Sequence, residues 1–246
     1  MIRPLAAALA CLLVVLGPGH AVAQGLVAEA PASNHARLYD AVNEPFDSPE
    51  AFDAAVREVA RRLTQGDPGM AEIEAQFPGF SLEMMQRIEP VIRQYFNRTQ
   101  AIYRPQFIAA VAETFSEAEA SQLADFYSSN IGRRMLNVAA LNSLSGVVLD
   151  AQLADQDVTS AMIEAERSDN MRRTREALTA AEEAEIVREL LRIPAVYRMP
   201  ELSRRTVAIQ VAMNNEPMTP DEEREVERIV RTTVNQRMQA AAKLRP

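Results

Sequence analysis

The sequence predicts an all-α fold, an antiparallel multi-helix bundle, and three observations carry that expectation. Apolar residues recur at i, i+3 and i+4 through most of the chain. Helix-start signals recur as well, in Ser48-Pro49, in Ser116 with Glu119, in Thr179 with Glu182 and in Thr219-Pro220. No segment alternates apolar and polar residues with period two between turns, so no sheet is expected.

The first segment is not part of the bundle. Met1 to Ala23 has one basic residue, Arg3, an apolar run from Leu5 to Leu16, a Gly17-Pro18-Gly19 break, and Ala21-Val22-Ala23 before Gln24. That is the tripartite pattern of a secretory signal with small residues at the cleavage site. The apolar run is shorter than the roughly 20 residues a spanning helix needs, so no transmembrane span is expected in the mature chain. Most of the apolar run follows Cys11, whereas a lipidation site has it upstream. The implied location is the periplasm or the exterior, after cleavage near Ala23.

Residues 24–47 are alanine-rich with weak periodicity and read as a partly helical leader or linker. Ser48-Pro49 then provides an N-cap and first helical residue, and Phe52, Val56, Val59 and Leu63 follow at helical spacing until Gly66-Asp67-Pro68-Gly69. After the Phe77-Pro78-Gly79 break, Leu82, Met85, Ile88, Ile92, Tyr95, Thr99 and Ile102 keep one stripe. Pro90 and Pro105 are expected to divide or kink that run. Phe107, Ile108, Val111 and Phe115 carry the apolar face onward.

A corner follows, from Phe115 to Arg134. Ser116 with Glu119 fits a capping box, in which each side chain satisfies a backbone N–H that the first turn leaves unpaired, so a helix should begin at Glu117. Ala120, Leu123, Tyr127 and Ile131 then recur at i, i+4 spacing beside Phe126. Ser129 is the expected N-cap of a second helix running through Met135 and Leu136. Gly132 falls in that helix's first turn, where a glycine costs about 1 kcal/mol relative to alanine. Close approach of another backbone is the simplest compensation. Phe126 and Tyr127 are consecutive and cannot share a face. Either both fill the core, or one does so while the other reaches a groove beside Gly132. In the second case Phe126, Tyr127, Gly132, Arg133 and Arg134 are the candidate residues of a partner groove.

The pattern Phe-[Ser/Thr]-x-x-Glu, an apolar position, then Phe-Tyr-x-Ser-x-x-Gly-Arg resembles the signature of an exported bacterial family known only as a domain of unknown function, number two thousand and fifty-nine. Phe115, Ser116, Glu119, Leu123, Phe126, Tyr127, Ser129, Gly132 and Arg133 match it. Family members often carry leucine after the glutamate and proline after the serine, where this chain has Ala120 and Asn130. The resemblance covers about Tyr103 to Leu144. It implies an exported, all-helical domain with no established activity, and it supplies no catalytic residues.

Beyond the corner, Leu136, Leu144, Val148 and Met162 continue a helical pattern that relaxes around Ser145-Gly146. Glu164 to Glu176 is the most polar segment. Its Arg172, Arg173 and Arg175 lie among Glu164, Glu166, Asp169 and Glu176, which reads as a solvated, salt-bridged linker or helix end rather than an anion site. Thr179 and Glu182 form a second capping box, followed by Ile186, Val187, Leu190 and Leu191. Laid over the first box it suggests two loosely similar helical units, with an insertion needed and no Phe-Tyr pair. Leu202, Thr206, Ile209 and Met213 make a further stripe. Thr219-Pro220 opens a terminal helix with Val226, Val230, Val234 and Met238 in line. The expected organisation is thus a signal peptide over 1–23, a leader over 24–47, a helical domain over 48–165 carrying the corner, and a C-terminal helical unit over 166–246 packed on it.

Composition narrows the chemistry. The only cysteine is Cys11, so the mature chain lacks disulfides, thiolate catalysis and cysteine-type zinc sites. The two histidines are His20, in the signal, and His35, in the leader, which leaves one for any triad, zinc or haem site. No phosphate-cradling glycine loop is present. The acidic pairs Glu117 with Glu119 and Glu182 with Glu183 fall in first helical turns, where capping and the helix dipole explain them. No catalytic, metal or cofactor residue is therefore assigned, and no cofactor is expected. A net charge of −8 and a pI near 5.0 argue against nucleic acid.

Two function classes remain. The preferred one is an envelope-associated interaction or binding protein that meets another protein, lipid or cell-wall material, with a homo-oligomer through a helical face left open. The alternative is a carboxylate-based envelope hydrolase or lyase. A pocket converging three or more polar side chains would favour the enzyme, and an exposed apolar groove the binder.

Overall fold

The structure, a computed structural model, describes residues 33–143 and 146–243, so the segment expected to be a signal peptide and the first part of the expected leader lie outside the described residues. All described regular structure is helical. In chain order the helices are α1 (Asn34–Asn43), α2 (Pro49–Gly66), α3 (Pro68–Gln76), α4 (Phe80–Thr114), α5 (Glu117–Ser128), α6 (Asn130–Asn142), α7 (Val147–Leu153), α8 (Ser160–Ala177), α9 (Ala180–Leu190), α10 (Met199–Asn214) and α11 (Pro220–Lys243). Two short 3-10 turns, Glu44–Asp47 and Pro194–Arg198, join α1 to α2 and α9 to α10.

The bundle is organised around α4. Its 35 residues span about 52 Å at 1.5 Å per residue. Helices α1, α2, α3, α10 and α11 all contact it. It starts where Gly79 takes a left-handed φ of 87°, which glycine adopts without penalty. Gly79 brings no capping side chain, and Glu74 of α3 replaces one by accepting hydrogen bonds from the amides of Gly79 (2.6 Å) and Ser81 (2.9 Å). Pro90 and Pro105, expected to divide or kink the run, do not divide it: both lie inside one continuous helix. Each removes one backbone hydrogen bond and crowds the carbonyl four residues back. The adjoining turns are anchored by buried Ile88, Val91 and Ile92 and by Tyr103 and Phe107. Tertiary burial of that extent overrides local propensity.

Two apolar clusters occupy the two ends of α4. Around the first half, Phe52, Val56 and Val59 of α2 pack on Met84, Met85, Ile88 and Ile92, with Val226 of α11 and Leu149 of α7 closing the cluster. Around the second end, Val111 and Phe115 meet Leu38 of α1, Leu123 and Tyr127 of α5, Leu136 of α6 and Ile186 of α9. A smaller group of Tyr39, Tyr103, Phe107 and Met213 links α1, α4 and α10. The link before α11 is held by Tyr95, whose hydroxyl donates to the Glu216 carbonyl (2.6 Å), and by Arg98, paired with Glu216 and Glu222. Of the terminal stripe, Val226 is buried and Val230 and Val234 pack on the first cluster, while Met238 is exposed.

Helix α1 occupies the second half of the segment whose weak periodicity suggested a leader. Ser33 caps it, and it packs along α5. His35 is mostly buried there: Nε2 lies 2.8 Å from the Phe115 carbonyl and Nδ1 3.1 Å from Glu117. Asp40 takes a bidentate hold on Arg104 of α4, and Arg37 pairs with Asp125.

Candidate functional site

The corner forms as its residues dictate. Ser116 and Glu119 make the full capping box at the start of α5, and Ser129 caps α6 by accepting from the Gly132 amide (3.2 Å). The same Ser129 hydroxyl donates to the Phe126 carbonyl (2.6 Å), which ends α5 and begins α6 on a single residue. A Cβ on Gly132 would collide with the Phe126 carbonyl and with the Tyr127 Cα. The expected close approach is therefore the backbone of the preceding helix. Arg198, from the turn before α10, covers the corner: it donates to the Thr114 carbonyl and to Glu119 and lies over the Phe115 ring.

Phe126 and Tyr127 are both buried and meet edge to face, with ring centroids 5.2 Å apart. Burial pushes the Tyr127 phenol up to about 12. Phe126 also borders a shallow depression shared with Ile131 of α6 and Glu185 and Glu189 of α9. The two cations turn elsewhere. Arg133 reaches Glu44 at 3.5 Å and Arg134 reaches Glu182 at 3.0 Å, on different elements. The structure brings Phe126, Tyr127 and Gly132 together and sends Arg133 and Arg134 to separate surface pairs.

A more enclosed concavity lies elsewhere, lined by α1, the second half of α4, α8 and α10. It is a partly enclosed cavity of about 390 Å³, within the size range of small-molecule pockets. Helix α1 contributes Leu38, Tyr39 and Val42, the following turn Phe46, and α4 Phe107 and Val111. This half is mainly apolar, with Asn43 of α1 also in its lining. Tyr39 and Phe107 stack with centroids 5.8 Å apart, and the Tyr39 hydroxyl reaches Gln100.

The opposite wall is mixed. On α10, Met199, Leu202, Ser203, Thr206, Gln210 and Met213 follow i, i+3 and i+4 spacing and so share one face. With Asn214 they extend about 22 Å along the helix axis at 1.5 Å per residue. On α8, Ile163, Glu166, Arg167 and Asn170 do the same. Asn170 is tied to the Ala139 carbonyl and to Thr174. Asn214 is buried, and its side-chain oxygen has no hydrogen-bond partner among the described residues.

Two charges mark this wall. Burial raises the pKa of Glu166 above the ordinary carboxylate value, against the opposing pull of the Val147 and Val148 amides and Arg173. Its oxygens face those amides at the start of α7 short of hydrogen-bond geometry, and they lie where a Cβ on Gly146 would stand. Arg173 approaches at 3.6 Å and also pairs with Asp169 at 3.0 Å. Arg167 differs. Its Nη1 donates to the Ser203 carbonyl (2.6 Å) and hydroxyl (2.7 Å), and its Nη2 to the Thr206 hydroxyl (2.8 Å). No acidic side chain among the described residues forms an ion pair with it. Burial lowers its pKa, and the field of Glu164 opposes that only in part.

Sequence reading placed Glu166 among solvated acids and did not single out Arg167. Both sit in the most polar stretch of the chain, whose charge balance masks the one turn that faces inward. The i, i+4 step from Ile163 to Arg167 was the signal available. Among the described residues no group of three His, Cys, Asp or Glu side chains could hold a metal ion, and no helix is long and apolar enough to cross a membrane.

Residues 104–140, from the last part of α4 through most of α6, match the model of a family described as "Uncharacterized protein conserved in bacteria (DUF2059)". The match is to the corner and the helix leading into it, in agreement with the resemblance read from the sequence. No curated protein and no solved structure matches the chain.

Proposed function

We propose that this chain is an exported binding protein that holds an amphipathic small molecule in the cavity between α1, α4, α8 and α10. The observation that carries the reading is the division of that cavity into a mainly apolar half, built by Leu38, Val42, Phe107 and Val111, and a mixed wall on α8 and α10 that carries Glu166, Arg167, Ser203, Thr206 and Gln210. Burial of an apolar body supplies the affinity in such a site, and a few fixed polar groups set orientation. The secretory pattern of residues 1–23 supports action outside the cytoplasm. The test uses the neutral fluorophore N-phenyl-1-naphthylamine. The protein should bind it with a blue-shifted, enhanced emission, and Leu202→Trp, which fills the cavity, should abolish the signal while leaving the helical circular dichroism intact. Unchanged binding in that variant would reject the site. N-terminal sequencing of the envelope-fraction protein should begin at Gln24.

Glu166 supports the second reading, a carboxylate-based envelope hydrolase. It lines the cavity, and burial raises its pKa in the direction a general acid needs. Turnover of an envelope polymer that Glu166→Gln abolishes would favour this reading over binding alone.

A further inference from the structure

From Arg167 we infer that the occupant of the cavity is an anion: a single-chain amphiphile whose carboxylate or phosphate head meets this guanidinium while its chain lies along α10. The inference rests on the binding reading above and names the ligand class for that site.

A guanidinium has five N–H donors and stays charged at any physiological pH. Three of those of Arg167 are committed, two from Nη1 to Ser203 and one from Nη2 to Thr206. The Nε hydrogen and the second Nη2 hydrogen have no acceptor among the described residues. Nε and Nη2 share one edge of the plane, the edge through which a guanidinium binds carboxylate or phosphate with two parallel hydrogen bonds. The three committed bonds end on neutral oxygens. They fix the plane of the group without neutralising it.

A cation held inside a protein with only neutral partners is a standing penalty, since burial disfavours charge and pairing is what normally offsets it. Elsewhere in this protein the half-buried arginines are paired: Arg98 with Glu216 and Glu222, and Arg104 with Asp40. The nearby acid Glu166 does not serve Arg167, because it is turned to the start of α7 and to Arg173. Arg167 thus has no ion-pair partner among the described residues and only the partial offset of the Glu164 field, and an anion entering there would complete its pairing.

The remainder of the wall selects the rest of the ligand. Apolar lining continues on both sides of Arg167, through Met199 and Leu202 toward one end of α10 and Met213 toward the other. An elongated apolar body fits the resulting trough.

The experiment is isothermal titration calorimetry of the purified protein with dodecanoate, dodecyl phosphate and dodecanol, repeated on Arg167→Met. The long methionine side chain keeps the packing of the arginine stem. Dodecanoate or dodecyl phosphate should bind at least about tenfold more tightly than dodecanol, the worth of one charge-assisted bidentate contact. Arg167→Met should remove that advantage and leave dodecanol affinity within about threefold, a difference of less than one kcal/mol. The relative order of the two anions identifies the head group. Equal affinities for all three in the unmodified protein would overturn the anion assignment and leave the cavity reading in place. Absence of binding by all three, together with failure to bind N-phenyl-1-naphthylamine, would overturn both.

Discussion

The first half of α4 buries its apolar face completely, whereas the same face of its second half borders a cavity. Met84, Met85, Ile88 and Ile92 have no solvent exposure and sit among side chains from α2, α7 and α11. Phe107 and Val111, on the same helix, belong to the packed clusters of the second end and also line the cavity. One continuous helix therefore serves as a core element at one end and as a cavity wall at the other. The family match begins at residue 104, on the second half. Stability and binding should accordingly respond to different substitutions along one helix.

The largest effect expected is at the closed end. Ile92→Ala leaves a void among fully packed neighbours and should destabilise the fold by about 2–5 kcal/mol. Leu202→Ala removes a similar side chain from a wall that already faces open space. It should cost about 1 kcal/mol, because no new enclosed cavity forms. Urea denaturation measures both, and equal losses would erase the distinction between the ends. Probe binding should move the other way, changing with Leu202→Ala and not with Ile92→Ala under conditions where both variants are folded.

Next in size is the corner. Gly132→Ala drives a methyl group into the Phe126 carbonyl, which is backbone and cannot swing aside. The expected loss is about 1–3 kcal/mol, the range for overpacking a tight site. Alanine is otherwise the better helix former by about 1 kcal/mol, so propensity alone predicts a gain. The sign of the measured change decides which account holds.

These two regions also differ in how readable they were from sequence. Every feature of the corner is local. The Ser116 and Glu119 box, the Ser129 cap and the close approach at Gly132 lie within a span of 17 positions, and their spacing alone determines their roles. The all-α class followed from the same local rules. The cavity joins residues from Leu38 to Asn214, and no short window of sequence records that pairing. Arg167 was hidden by its setting, because the acids around it imply a solvated helix face. Of the two outcomes expected at the prolines in α4, a division or a kink, division does not occur, for the converse reason. Local rules break a helix at Pro90 and Pro105, but burial of Ile88, Ile92 and Phe107 on either side holds it together.

Smaller again is the pH response of the second capping box. The amide of Thr179, then the side chains of Arg134 and Thr179, hold Glu182 down to about 2, from an ordinary value of 4.5. A depressed carboxylate stabilises the fold fully above its unfolded value, and that contribution disappears as the pH falls through the folded one. Glu182→Gln should therefore lower Tm at pH 7. The gap to the unmodified protein should close between about pH 4.5 and pH 2. A gap that stays constant over that range would mean the carboxylate's charge plays no part in the cap.

The smallest effect separates the corner's architecture from its surface. Arg133 is more than half exposed and meets Glu44 at 3.5 Å, and exposed pairs of that kind contribute about 0–1 kcal/mol. Arg133→Ala should leave the urea midpoint almost unchanged. Arg134→Ala should do slightly more, since Arg134 also supports the Glu182 cap. Arg133 is thus not explained by the fold, in contrast to Gly132 beside it, and Arg134 only through the Glu182 cap. If the corner receives a partner, as the sequence pattern of Phe126, Tyr127, Gly132, Arg133 and Arg134 suggested, the double variant Arg133→Ala with Arg134→Ala should lose crosslinks in the native envelope. It should still bind N-phenyl-1-naphthylamine, because the cavity lies on other elements. An unchanged crosslinking pattern would confine the corner to a structural role and leave the cavity as the functional face.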